Sequence, residues 1–152
     1  MTTKPIDAIA MLKADHQEVK AMFARYEELG ERANAGKKKL AEQICNALTL
    51  HATIEEEIFY PALRAASKAA ADLLDEAEVE HAGAKELIAQ IQQMDPEDDL
   101  YDAKVKVLGE QIDHHVGEEE GEMFPLAKKT TLDMAALGSE MAMRKDELAA
   151  TL

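Results

Sequence analysis

Apolar residues recur every three or four positions along most of the chain, and polar residues fill the positions between them. This period is typical of an α-helix with one buried face. Four such faces occur, at residues 9–26, 40–62, 74–91 and 101–123. The pattern therefore predicts four long helices.

Prolines, glycines and polar runs set the predicted ends of the first two helices. Pro5 suits a first helical turn, with Thr3 as a cap, and the first helix is predicted to end near Gly30. Residues 34–36 predict a turn, so the second helix is expected to begin at about Lys37.

The later breaks divide the rest of the chain. Pro61 lacks an amide hydrogen, so it is predicted to kink or end the second helix. The third helix is expected over residues 70–94, and Asp95-Pro96 predicts a stop before a fourth helix over residues 97–128. A shorter amphipathic helix is predicted over residues 132–149.

Four long helices with short connections place successive helices side by side and antiparallel. We therefore expect an all-α protein, with an up-down-up-down antiparallel four-helix bundle over residues 1–130. Residues 131–152 would form an additional short C-terminal helix, packed either on the bundle or at the interface of a homodimer.

Length and net charge limit the number of domains and the classes of binding partner. The 152 residues suit one domain, and 31 acidic against 17 basic residues give a net charge of −14. Nucleic acid and anionic membranes repel such a chain, so neither is expected as a partner.

Cys45, the only cysteine, excludes an intrachain disulfide and is predicted to be buried. No apolar signal segment or membrane span is found, which predicts a cytoplasmic location.

A histidine–glutamate motif occurs twice, as His51 with Glu55 and as His115 with Glu119. Both copies contain three consecutive glutamates and end in an aromatic residue followed by proline. Positions four apart lie about 6 Å apart on one face of a helix, so each pair points into one small volume. The repeat predicts two halves of one metal site.

Two further histidines complete this pattern. His16 and His81 each follow an acidic residue, and each is followed four residues later by a lysine. The separation from His16 to His51 nearly equals that from His81 to His115, which indicates two similar helical hairpins. The predicted metal ligands are four histidines and two glutamates: His16, His51, Glu55, His81, His115 and Glu119.

Imidazole and carboxylate ligands together suit iron, manganese or zinc rather than calcium. Each of two metals would take two histidines, while both glutamates bridge them. Six side chains do not fill two octahedra, so open coordination positions are expected. The alternative is a metal-free core in which buried histidines neutralise the glutamates. An unpaired buried polar group costs roughly several kcal/mol, and an ionised one more, so the joint pattern favours metal.

Neighbouring residues supply alternative ligands. His114 points about 100° away from His115 and is predicted at a helix interface or the surface, with replacement of His115 as the alternative. Glu120 is the alternative to Glu119. The other glutamates of the two runs are expected in solvent or beside the ligands, and Tyr60 in the core or donating a hydrogen bond near the site.

With these residues in this order, the chain resembles the hemerythrin-like family, the HHE cation-binding domains, over residues from about 5 to 128. The resemblance implies a non-haem di-iron centre, oxo- or hydroxo-bridged when oxidised. It also implies binding of small ligands such as dioxygen, nitric oxide or peroxide.

The sequence departs from the oxygen-carrying hemerythrins, which have five histidine ligands, two of them four apart on the third helix. Ala77 and Lys85 stand four residues before and after His81 here. Glu119 and Glu120 stand where those proteins have their last aspartate. The chain is thus similar to a four-histidine, two-glutamate subgroup associated with nitric-oxide response, iron-centre repair, peroxide handling and iron sensing.

Three functional hypotheses follow. The first is a di-iron protein that binds or senses a small ligand, in sensing or stress response. The second is a redox enzyme that turns over peroxide or nitric oxide, and the third is an iron store or donor. The sequence leaves open whether the protein is an enzyme, and it assigns no catalytic residue.

Overall fold

The computed structural model describes residues 7–30 and 32–152, and within these ranges the chain forms helices and no strand. The all-α prediction is therefore confirmed. The predicted start at Pro5, with Thr3 as cap, lies outside the described residues. The first described helix begins at Ala8, where the Asp7 carboxylate accepts a hydrogen bond from the Ala10 amide at 2.8 Å.

The chain alternates long helices with short ones. In order, they are α1 (Ala8–Glu28), α2 (Asn34–Ile54), α3 (Tyr60–Ala66), α4 (Ala71–Gln92), α5 (Tyr101–Glu118), α6 (Phe124–Lys128) and α7 (Met134–Ala149). A short 3₁₀ turn, Lys68–Ala70, precedes α4. Two π-helical segments, Glu55–Phe59 and Glu119–Met123, join α2 to α3 and α5 to α6.

Two predicted boundaries are wrong. The turn expected at residues 34–36 is absent, because α2 already begins at Asn34. The fourth helix begins at Tyr101 rather than at residue 97. Asp95 and Asp98 instead close a turn, in which each backbone amide donates a 2.9 Å hydrogen bond to the other residue. Leu100 then adopts a left-handed φ of 73°, which a helix interior does not accommodate.

Proline explains the two π-helical segments. Pro61 and Pro125 have no amide hydrogen to donate to the preceding turn, so the regular ladder is interrupted there. Instead of ending at Pro61, the helical path widens and continues as α3. In each segment a backbone amide donates a hydrogen bond to the carbonyl five residues earlier, from Tyr60 to Glu55 and from Phe124 to Glu119. These wider turns, which are frequent at functional sites, thus begin on the two predicted glutamate ligands.

Helices α1, α2, α4 and α5 pack around one interior. Tyr26, late in α1, donates to Asp102, early in α5, whereas His16, earlier in α1, contacts Glu120, which follows α5. This opposite order shows that α1 and α5 are antiparallel. Contacts in the same opposite order show that α1 and α2, α2 and α4, and α4 and α5 are also antiparallel. This arrangement is consistent with the predicted up-down-up-down order.

Two apolar clusters fill the interior on either side of the predicted ligands. One contains Leu12, Phe59 and Phe124, and the other contains Ile44 and Leu108. On α1, α2 and α4 the predicted histidine lies between residues of the two clusters, and His115 lies between Leu108 and Met123, which follows α5. The polar group is therefore shielded from solvent along the bundle in both directions.

The remaining elements surround this interior. Helix α7 packs against α1, α2 and the first π-helical segment, while its use in a homodimer stays a prediction. Cys45 is 1% exposed, as predicted, and burial raises the pKa of its thiol to about 11. No helix within the described ranges is long and apolar enough to cross a bilayer.

Candidate metal centre

The structure brings all six predicted ligands together in the interior. Glu55 and Glu119 are 0% and 1% exposed, and the four histidines are 6–8% exposed. Their ligand atoms form two groups, each with atoms within 4.8 Å of one another: His16, His51, Glu55 and Glu119 in one, and Glu55, His81 and His115 in the other. Glu55 belongs to both groups, so it stands between them.

Helix geometry aims the ligands as the spacing predicts. The Nε2 atom of His51 lies 3.3 Å from the Glu55 carboxylate, one turn further along. The Nε2 atom of His115 lies 3.0 Å from the Glu119 carboxylate in the same way. Partners on other helices complete the cluster, since Nε2 of His16 lies 3.0 Å from Glu119.

The other ring nitrogen of each histidine meets a carboxylate outside the cluster. The four Nδ1 contacts are His16 with Glu120 at 2.6 Å, His51 with Asp15 at 3.0 Å, His81 with Glu56 at 2.8 Å and His115 with Glu80 at 2.9 Å. An ionised carboxylate only accepts, so Nδ1 carries the proton in each pair. Metal-bound histidines are usually oriented in this manner, with Nε2 left free to bind.

These contacts divide the centre into two half-sites related by the sequence repeat. The first half-site consists of His16 and His51, and the second of His81 and His115. The acidic residue before the first histidine of each half-site orients the other histidine of that half-site. Glu56, which follows Glu55, orients His81 of the other hairpin, and Glu120, which follows Glu119, orients His16. The hairpins therefore depend on each other for the orientation of their rings.

Several ligand atoms have no hydrogen-bond partner although they are buried. Among the described residues these atoms are Nε2 of His16, Nε2 of His51, both oxygens of Glu55 and Oε1 of Glu119. Leaving a buried donor or acceptor unpaired costs about 1–3 kcal/mol each, and more for charged groups. These atoms face one another, with Nε2 of His16 3.0 Å and Nε2 of His51 3.3 Å from glutamate oxygens, so positive charge between them, from a metal ion or from ring protons, is favoured.

An aromatic difference distinguishes the half-sites. In the second half-site, the Tyr60 hydroxyl donates a short hydrogen bond to Glu119 and lies 3.4 Å and 3.2 Å from Nε2 of His81 and His115. At the corresponding repeat position, Phe124 stacks on His16 with ring centroids 6.1 Å apart. Tyr60 thus adds a hydrogen-bond donor to one half-site, and Phe124 adds only apolar surface to the other.

The metal-free electrostatics show how strongly the cluster attracts positive charge. Burial opposes protonation of His51, but the Glu55 and Asp15 carboxylates outweigh it and raise its pKa to about 10. Burial likewise opposes protonation of His115, yet Glu119 raises its pKa to about 9. The pKa of Glu119 lies well below its usual value, because contacts with His115 and His16 outweigh its burial. Protons and metal ions therefore compete for these atoms.

A small cavity of about 140 Å³ lies beside the cluster. Its walls include the apolar side chains of Val19, Leu48 and Ile88 beside the histidines. A larger groove of about 640 Å³ between α1 and α5 passes Phe23 and Gly109. None of the unpartnered buried atoms identified among the described residues lies in this groove. We therefore assign the centre to the small cavity.

The structure also places the residues that sequence reasoning weighed as alternatives. His114 is exposed on the surface, and Glu120 orients His16 rather than joining the central cluster. Sequence reasoning assigned no role to Asp15 and Glu80, which orient His51 and His115. Their signal was the acidic residue preceding a histidine in both hairpins.

Two contacts at the edge of the centre involve lysines. Lys145 of α7 bonds Asp15 at 2.7 Å, and nothing in the sequence pattern pointed to it. Lys85, expected at the surface, is half exposed there and bonds Glu56 at 2.6 Å. Both lysines therefore reach carboxylates that orient ring nitrogens.

The chain matches the family model of the hemerythrin HHE cation binding domain over residues 7–127. The chain belongs to the hemerythrin HHE family. A crystal structure of a hemerythrin HHE cation binding domain-containing protein from Mycobacterium kansasii is similar, with a TM-score of 0.80 and 23% sequence identity. That similarity covers 96% of this chain and 89% of the other, and at this identity it shows the fold alone. Comparison with curated protein sequences gave no significant match.

The donor set of this hemerythrin domain fits a metal. Oriented imidazoles, two buried carboxylates and unpartnered atoms aimed at one point are what a site for iron, manganese or zinc requires. The geometry thus supports metal binding by the residues that the sequence singles out.

Proposed function

We propose that this hemerythrin-domain protein holds a di-iron centre and binds or reacts with a small ligand such as dioxygen, nitric oxide or peroxide, in sensing or stress response. The observation that carries the proposal is the convergence of five unpartnered buried atoms, two from the histidines of the first half-site and three from the glutamates between the half-sites. His16 and His51 would hold one ion, His81 and His115 the other, and Glu55 and Glu119 would be shared. This assignment corresponds to the four-histidine, two-glutamate subgroup.

Charge balance is compatible with two divalent ions. Two carboxylates lie within the cluster, and four more accept from the ring nitrogens. Lys145 and Lys85 neutralise two of these six charges. Four negative charges remain, which equals the charge of two divalent ions. Glu55 and Glu119 are fully buried among these four, so positive charge beside them is favoured in the low-dielectric interior.

The cavity supports a small ligand. Pockets for drug-sized molecules usually measure about 300–1,000 Å³, whereas the cavity beside the cluster measures about 140 Å³. Its apolar walls favour an uncharged diatomic molecule or peroxide over an organic substrate. When bound, the iron pair would supply open coordination positions and redox capacity.

Tyr60 favours a second candidate, the turnover of peroxide or nitric oxide. Burial raises the pKa of its hydroxyl, and the Glu55 and Glu119 carboxylates raise it further, so the proton stays on the oxygen. This hydroxyl can donate a hydrogen bond to Glu119 or to a ligand between His81 and His115. A fixed hydrogen-bond donor beside a redox-active metal can orient and polarise a bound ligand, which suits a reaction as well as binding.

The structure gives less support to an iron store or donor. All six proposed ligands are buried between the two apolar clusters. Releasing metal would require the bundle to open, so a resident metal fits better than an exchangeable one. A cytoplasmic location and the exclusion of nucleic acid and membranes as partners remain predictions from sequence and charge.

The test is metal analysis and an optical spectrum of the protein purified without oxygen after iron-replete growth. We expect two iron equivalents and a spectrum that changes when oxygen is added. A reversible change supports ligand binding, and steady consumption of peroxide or nitric oxide supports turnover. Transfer of the metal to an apo acceptor protein would support the store. A near-absence of metal would contradict the proposal and favour histidine–glutamate neutralisation.

A further inference from the structure

Helix α7 reaches the metal centre through a single lysine. Lys145 Nζ lies 2.7 Å from Oδ1 of Asp15, and the other carboxylate oxygen, Oδ2, accepts from His51 at 3.0 Å. Lys145, Asp15 and His51 therefore form a chain from the C-terminal helix to a proposed ligand. The Asp15 side chain is 10% exposed, so little water is available to replace Lys145.

Among the described residues, the corresponding carboxylate of the second half-site, Glu80, has no lysine partner. Glu80, which orients His115, has its second oxygen 3.5 Å from the exposed His114 ring, and its side chain is 25% exposed. Water can therefore solvate Glu80 but hardly reaches Asp15. The first half-site depends on a residue outside the four-helix bundle, whereas the second does not.

We propose that Lys145 is a positioning residue for the first half-site: it fixes the Asp15 carboxylate, which in turn orients the His51 ring for metal binding. Two contacts on opposite oxygens prevent the carboxylate from rotating, so Oδ2 stays directed at Nδ1. Lys145 also offsets the Asp15 charge in a buried setting, where an unpaired carboxylate is unfavourable. The inference rests on the proposed metal centre and makes α7 a determinant of its occupancy.

Arg144 supplies a matched control. It neighbours Lys145 on α7 and contacts both oxygens of the Glu57 carboxylate, at 3.0 Å in the closest pairs. Among the described residues, Glu57 forms no hydrogen bond or ion pair with any of the six proposed ligands. Replacing Arg144 thus loosens the attachment of α7 without disturbing Asp15.

The experiment is anaerobic Fe(II) titration of metal-free full-length protein, comparing wild type with Lys145→Met, Lys145→Arg and Arg144→Met. Changing a group that orients a metal ligand usually lowers affinity 10–100-fold. We expect Lys145→Met to weaken one of two binding steps by about tenfold or more. Lys145→Arg should restore most of the affinity, and Arg144→Met should leave both steps unchanged. Equal loss in the Lys145→Met and Arg144→Met variants, or no loss in either, would overturn the proposal.

A double variant tests whether Lys145 acts through Asp15. With Asp15→Asn in place, Lys145→Met should cause no further loss, since effects within one chain of contacts are not additive. Full additivity would overturn the proposal.

Proton NMR of the metal-free protein separates this inference from the proposed function. We expect a protected His51 Nδ1–H signal in wild type and its loss in Lys145→Met, but not in Arg144→Met. Such a result without Fe(II) binding by wild type would contradict the di-iron proposal and support the positioning role. An unchanged signal together with normal Fe(II) binding in Lys145→Met would contradict the positioning role alone.

Discussion

The two half-sites use the same ring chemistry in different surroundings. Each contains two histidines whose Nδ1 atoms contact carboxylates and whose Nε2 atoms face the shared glutamates. The first half-site is lined by Phe124 and connected to α7 by Lys145. The second contains the Tyr60 hydroxyl and has a more solvated outer carboxylate, Glu80. A repeated motif thus specifies the ligands, while the residues around it make the two positions unequal.

The largest effect is expected when a proposed ligand is removed. Each of His51→Ala and His115→Ala removes one of the two histidines of a half-site. Both variants should lose most of their iron. Because metal bound to the folded state adds stability, the melting temperature of iron-grown protein should fall by roughly 5–10 °C. Metal analysis and calorimetry check both outcomes, and unchanged iron in both variants would refute the ligand assignment.

A smaller effect is expected from Tyr60→Phe. The variant removes the hydrogen bond to Glu119, and a bond to a charged group contributes about 1.5–3 kcal/mol. The free energy of unfolding should fall more in the metal-free protein than in the iron-loaded protein, because a metal would occupy the carboxylate in its place. Urea titrations of both forms measure this difference.

Tyr26→Phe is the matched control for Tyr60→Phe. Tyr26 donates to Asp102 at 2.7 Å, at a distance from the centre, and Asp102 is 60% exposed. The decrease in the free energy of unfolding of Tyr26→Phe should be small, and equal with and without iron. If Tyr60→Phe behaves in the same way, Tyr60 does not distinguish the half-sites.

Lys85→Met should have a smaller effect on metal affinity than Lys145→Met. Lys85 is 56% exposed and its partner Glu56 is 35% exposed, so water and salt screen the pair. Exposed ion pairs contribute about 0.2–1 kcal/mol, which corresponds to less than about a fivefold change in Fe(II) affinity. Anaerobic titration measures the change. A loss as large as that of Lys145→Met would show that both half-sites depend on an outer lysine.

The smallest effect is expected from His114→Ala. The ring is 67% exposed and contacts Glu118 at 3.0 Å on its own helix. Iron content should stay at the wild-type level, and stability should change by less than about 0.5 kcal/mol. Iron loss equal to that of His115→Ala would mean that the neighbouring histidine is the ligand.

Helix boundaries show where sequence reasoning is weak. The apolar period predicted the four long helices, but it did not reveal that α2 begins at Asn34 or that residues 95–98 form a turn. Polar residues near helix ends suit both caps and turns, so local preference leaves the end undecided. Pro61 predicted an interruption, but it did not reveal that the helical path widens over Glu55–Phe59 and then continues as α3.

The sequence by itself determined the helical class and the six residues of the candidate centre. Both follow from local geometry, because residues four apart share a helix face and a repeat predicts equivalent positions. Tertiary structure decided which carboxylate orients which ring, that Tyr60 and Phe124 differ in role, and that Lys145 reaches Asp15. These contacts join residues far apart in the chain, so they depend on the register and depth at which helices pack. No spacing along a single helix encodes that arrangement.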